Sequence, residues 1–324
     1  MRKYLNSANI PLSVAVFLAT DNYDHDPDTI SATALLKPIR QLVLASRVPE
    51  SQSMVDISTL FKSRMGSALH DAIERSWTEN HSQAMKALGY PAGVIKRVKI
   101  NPDPATVTED DIPVYLEQRA YREVMGRTIS GKYDFVAEGR VEDFKSTSVF
   151  MFTKGTKDED YKLQGSIYRW LNPNIITQSE MAINFLLTDF QAARAANDPT
   201  YPNSSTPQKI IPLLSVGETQ AFVEHKIALI DRYKDTPEED LPLCTDKELW
   251  RSEPQYKYYK NPDKMARSTK NFDHKQDAYA RLAKDGGVGV VIEKPGEVTA
   301  CKFCPAFPIC SQKDDLIADG SLKL

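Results

Sequence analysis

The 324-residue sequence predicts an α/β fold, a mixed β-sheet held between helical layers, and three observations predict it. Two short apolar-alternating runs, residues 131–136 and 141–147, read as the strands of a β-hairpin. Helical spacing of apolar residues precedes them at 56–86 and follows them over 160–170. The run 181–190 has the continuous apolar character of a central strand buried on both faces. Strands with helices before and after them pack as a sheet between helical layers.

The hairpin carries the chemistry. Its turn falls in residues 137–140, which makes Asp134 and Asp143 neighbours on paired strands. Lys145 lies two residues beyond Asp143, and the period of two puts both on one face of the sheet. Two carboxylates and an ammonium are costly to bury without a task. They suit a hard divalent cation and the phosphate it polarises, with the lysine orienting the attacking water or neutralising developing charge. The alternative is a solvated hairpin with an ordinary ion pair. Glu142 points to the opposite face and is excluded from the metal set.

The other elements follow in chain order. Residues 1–55 form a cover or docking segment in which Pro38 interrupts a helical or extended run. The helix over 56–86 carries His70, with Glu74 one turn on. Residues 94–100 and 114–119 read as strands, and Glu117 on the second is a further site candidate or a partner for a neighbouring cation. On the helix after the hairpin, Gln164 and Tyr168 share a face. Residues 192–212 read as a surface loop and 217–233 as a helix. The acidic connector 236–240 marks a boundary, giving a core at 56–235 and a final segment at 236–324.

The order G-x-x-D, D-x-K, Q-x-x-x-Y behind a helical histidine resembles the PD-(D/E)XK nuclease superfamily, in its RecB and Cas4-like branch. The resemblance implies a restriction-endonuclease-like αβα core. It also implies one or two Mg2+ or Mn2+ ions held by His70, Asp134, Asp143 and the carbonyl of Phe144. Lys145 would position the nucleophile, and Gln164 and Tyr168 would orient DNA or the lysine. The implied activity is that of a stand-alone exonuclease on single-stranded DNA or DNA ends, of the phage recombination type, with a recombination partner protein. A structure-specific endonuclease and a catalytically silent DNA-binding scaffold are the alternatives.

Composition bounds this reading. With 41 Lys and Arg against 44 Asp and Glu, the net charge of -3 excludes a generally basic nucleic-acid coat, so DNA contact must be local. The N-terminal residues 1–19 make a poor secretory signal, because Pro11 and Ser13 break the apolar run. No uncharged stretch reaches the roughly 20 residues of a membrane span, and an intracellular protein is expected.

All four cysteines follow the connector: Cys244, then Cys301, Cys304 and Cys310. Thiols gathered in a reducing compartment point to metal rather than disulfides. Zinc and an iron–sulfur cluster both fit four thiolates, although a single C-x2-C step followed by C-x5-C fits zinc poorly. The tail resembles the iron–sulfur staple of Cas4 and AddB nucleases, which implies a [4Fe–4S] cluster. In those families the lone cysteine precedes the nuclease motifs, whereas Cys244 follows them. Between Cys244 and Cys301, residues 255–272 interleave Lys and Arg with Tyr and Phe, a path for single-stranded nucleic acid or a solvated face over packed tyrosines.

Overall fold

The computed structural model describes residues 4–21, 26, 28–49 and 54–324, so the part of the N-terminal reading that rests on 1–3, 22–25, 27 and 50–53 lies outside it. The chain divides into two compact units, residues 1–36 with 54–228, and residues 37–53 with 229–324. This division differs from the three expected segments: the first 55 residues split between the units, and the second unit begins before the acidic connector.

The first unit is a seven-stranded mixed sheet. Its strands are β1 (Ile30–Ser31), β2 (Val98–Ile100), β3 (Ile112–Val124), β4 (Arg127–Ala137), β5 (Arg140–Thr147), β6 (Glu180–Leu187) and β7 (Gln208–Pro212). The order is β2-β3-β4-β5-β6-β7, with β1 alongside the first half of β4. β3, β4 and β5 form an antiparallel meander, β5 and β6 run parallel, and β7 returns antiparallel. The parallel step needs a crossover, and the helix Asp158–Leu171 supplies it.

That helix buries Ile167, Tyr168, Trp170 and Leu171 in the main core with Val141, Met181 and Ile183 of the strands and Val223 and Ile227 of the helix Val216–Tyr233. The 27-residue helix Phe61–Ala87 uses Trp77 and Met85 to cover the other face, against Leu116, Phe135 and Phe144. The expected sandwich of helices about a mixed sheet is present. Two local expectations fail. Residues 94–97 are the end of a short helix, Ala92–Arg97, because Pro91 starts a turn that the apolar run alone does not reveal. The supposed loop 192–212 contains the helix Ala192–Ala195 and edge strand β7.

The second unit has a three-stranded antiparallel sheet, β8 (Gln255–Tyr259), β9 (Lys270–Phe272) and β10 (Val290–Lys294), with β8 central. Tyr258 and Tyr259 are buried, and Tyr258 donates to Asp285 Oδ2 at 2.9 Å. A separate small core joins Leu249, Val298, Leu316 and Leu322. No helix among the described residues is long and apolar enough to cross a membrane.

Candidate active site

Positive φ at Glu138 (51°) and Gly139 (77°) makes a two-residue turn whose twist matches the strands. From it the ladder runs Ala137↔Arg140, Val136↔Val141, Phe135↔Glu142 and stops. Asp134 and Asp143 occupy the next rung, where β5 leaves β4 and stays paired to β6 as far as Thr147. At this splay the Phe144 amide donates to Asp134 Oδ2 at 3.1 Å. The two acids therefore sit where a sheet opens.

Across β4 the pairing is Leu116↔Phe135 and Gln118↔Tyr133, and the intervening Glu117 has φ 51°. A left-handed glutamate costs about 1–2 kcal/mol, a strain of the kind found at functional sites. Its carboxylate bridges two cations: Oε2 lies 2.8 Å from Lys132 Nζ and Oε1 lies 3.6 Å from His70 Nδ1. Glu117 thus pairs with a neighbouring lysine and also stands beside His70.

His70 enters from the covering helix. Its Nδ1 is 3.5 Å from Asp134 Oδ2 and its Nε2 is 3.1 Å from the Phe144 carbonyl. Ligand atoms of His70, Glu117 and Asp134 all lie within 4.8 Å of one another. Burial lowers the affinity of His70 for its proton, but hydrogen bonds to Asp134 and Glu117 outweigh this and hold its pKa up at about 10. Asp134 moves the opposite way: burial raises it, and His70 brings it below the usual range.

Asp143 is 1% exposed. Its Oδ2 lies 2.5 Å from Lys145 Nζ, yet accepts no well-aligned hydrogen bond. Burial, with Asp134 adding to it, pushes its pKa up to about 6 despite the lysine. Burial also opposes charge on Lys145, but Asp143 and Asp134 raise its pKa. A buried carboxylate held by an ammonium beside a His-Glu-Asp group fits a hard divalent cation.

The residues expected to hold a metal, His70, Asp134, Asp143 and Phe144, meet in one region, with Glu117 beside them. His70 and Asp134 cluster with Glu117, Asp143 pairs with Lys145, and the Phe144 carbonyl contacts His70. Glu142 lies apart as expected, 2.9 Å from Arg140 and accepting from Asn184 at 2.7 Å. Gln164 donates to the Tyr168 hydroxyl at 2.7 Å, so the pair meets, but Tyr168 is a core residue. A Cβ on Gly131 would come within 3.1 Å of its ring, which ties the glycine and tyrosine of the two motifs through packing. The ring over Lys145 belongs to Tyr161, with Nζ 5.8 Å from its centroid. Tyr161 escaped the sequence reading, although it lies one turn before Gln164 on the same helix.

In the second unit, the four thiols are free and line one cavity of about 40 Å³ with Arg40 and Gln312. Gln312 fixes Cys244 by accepting from its amide and donating to its carbonyl, both at 2.9 Å. Burial, then Glu248 and the other three thiols, pushes Cys244 up to about 12. Burial also raises Cys304, while the amides of Ala306 and Phe307 reach its sulfur and favour the thiolate. Four half-buried thiols lining one cavity, with amides aimed at one, fit a cationic metal group.

No protein-family model matches the chain, and no curated protein does. Among solved structures, one named SSO0001 aligns with a TM-score of 0.39 at 16% identity, over 70% of this chain and 90% of its own. A phage-related exonuclease from Haemophilus somnus 129PT aligns with a TM-score of 0.28 at 14% identity, over 64% of this chain and 93% of its own. Likeness this slight carries no functional argument, which leaves the side chains themselves.

Proposed function

We propose that the chain is a metal-dependent nuclease that hydrolyses phosphodiester bonds, acting as an exonuclease on single-stranded DNA or DNA ends. One observation carries this: His70, Glu117 and Asp134 converge within 4.8 Å beside the buried Asp143–Lys145 pair. His70, Glu117, Asp134 and Asp143 would hold one or two Mg2+ or Mn2+ ions. Bound there, a divalent cation supplies Lewis acidity and a more acidic water. Lys145 keeps its proton and presents positive charge where a phosphate gains negative charge. The Tyr161 ring limits where its ammonium sits. The basic loop with exposed Lys260, Lys264, Arg267 and Lys270 supports a backbone-tracking role, while burial of Tyr258 and Tyr259 removes those two from base stacking.

End-labelled single-stranded DNA with Mn2+ tests the assignment. Asp143→Ala and Lys145→Ala are each expected to lose about 10²–10³-fold in rate. Equal degradation by all three proteins sinks it. Circular single strands separate the modes, since an exonuclease leaves them intact.

For the cysteines we propose a [4Fe–4S] cluster that locks the second unit. The single C-x2-C step followed by C-x5-C supports this reading over zinc, whose usual sites carry two C-x2-C pairs. Anaerobically purified protein is expected to be brown; colourless protein with bound zinc overturns the cluster.

A further inference from the structure

We propose that Arg40 is the charge partner of the cysteine cage, a positioning residue that holds the Cys310 sulfur and offsets the negative charge of the metal–thiolate group. The inference rests on the cluster reading and adds a group that no cysteine spacing reveals, 270 residues from Cys310 in sequence.

Arg40 lies on the helix Ile39–Ala45 and is 2% exposed, so its guanidinium must find its acceptors inside the protein. Nε donates to Cys310 Sγ at 3.2 Å. Nη1 donates to the carbonyls of Glu238 and Leu241, both at 3.2 Å. Nη2 donates to Ser311 Oγ at 3.2 Å and pairs with the Glu238 carboxylate. Every partner but the sulfur is an ordinary acceptor.

A neutral thiol accepts hydrogen bonds weakly, so aiming a buried guanidinium N–H at one gains little. A metal-bound thiolate carries charge and accepts strongly, and such bonds set both metal retention and potential. Among the described residues, Lys37 also acts on Cys304 and Glu248 on Cys244. Glu238 already neutralises Arg40 in part, so the directed N–H adds to the bare charge.

The test uses full-length protein purified anaerobically, with Arg40→Met, Arg40→Gln and Arg40→Lys. Iron release to a chelator is expected to quicken about tenfold or more in the Met and Gln proteins and less in the Lys protein, which keeps the charge but loses the fork. In the fraction that retains its cluster, the dithionite-titrated midpoint potential is expected to fall in Met and Gln and to stay near wild type in Lys. Faster release with an unchanged potential would mean that Arg40 only braces the fold, and overturns the proposal. Wild-type protein that binds zinc instead of iron sinks the cluster reading, and equal zinc release by all four proteins then sinks Arg40 as well.

Discussion

His70 shows how one residue couples metal, proton and pH. With its pKa near 10, it is an imidazolium at neutral pH and must lose its proton to act as a nitrogen ligand. Calorimetry of Mn2+ binding in buffers of different ionisation heat is therefore expected to show about one proton released per metal at pH 7.5, and none in His70→Gln. Release of none by the wild type removes His70 from the ligand set. Affinity is expected to rise about tenfold per pH unit between 7 and 9, and to steepen below 6, where Asp143 also carries a proton.

The same acid acts on stability. Asp143 binds its proton up to about pH 6 when folded, above its ordinary 3.8, so the folded state holds more protons across that window. Stability of the metal-free protein therefore falls as pH rises from about 4 to 6. Asp143→Asn is expected to abolish that decline in a melting-temperature series, and an unchanged slope would show that burial does not penalise this carboxylate. His70 acts in the same direction over a higher window: its contribution is full below about pH 6.5 and is lost as pH rises through about 10.

At the scale of elements, the turn sets the register of the site. Glu138 and Gly139 both adopt positive φ, and a methyl on Gly139 would also collide with the Thr177 hydroxyl. Gly139→Ala is expected to cost about 1–3 kcal/mol, read as a lower urea midpoint. A neutral substitution would mean that the turn is free to reshape. Strand alternation was enough to put Asp143 with Lys145 and Glu142 opposite, because the side-chain period of two is a local property. Alternation left Glu117 as either a site candidate or a partner for a neighbouring cation and stopped there. The left-handed residue that turns its carboxylate toward His70 depends on the neighbouring strand, which a single strand's pattern does not contain.

At the scale of the molecule, each unit has its own core, and the cysteine cavity lies wholly in the second. Thermal unfolding is expected to show two transitions, of which strong chelation under reducing conditions lowers only one. A single transition, or equal shifts in both, would contradict a cage that stabilises its own unit alone. The second unit also takes in residues 37–53, which bring Arg40 to the thiols. The sequence placed that stretch in an N-terminal cover because nothing in its local pattern refers to a cysteine cluster so far downstream.

Local pattern by itself determined the α/β class, the hairpin, the shared face of Asp143 and Lys145, and the grouping of four cysteines in one tail. These follow from periodicity and spacing, which act between near neighbours. Only the tertiary structure decided that Glu117 stands beside His70 and Asp134, that Tyr161 overlies the lysine, and that Arg40 faces a thiol. Each of those contacts joins separate elements, and which atoms meet there is set by sheet twist, strand splay and packing of the whole chain.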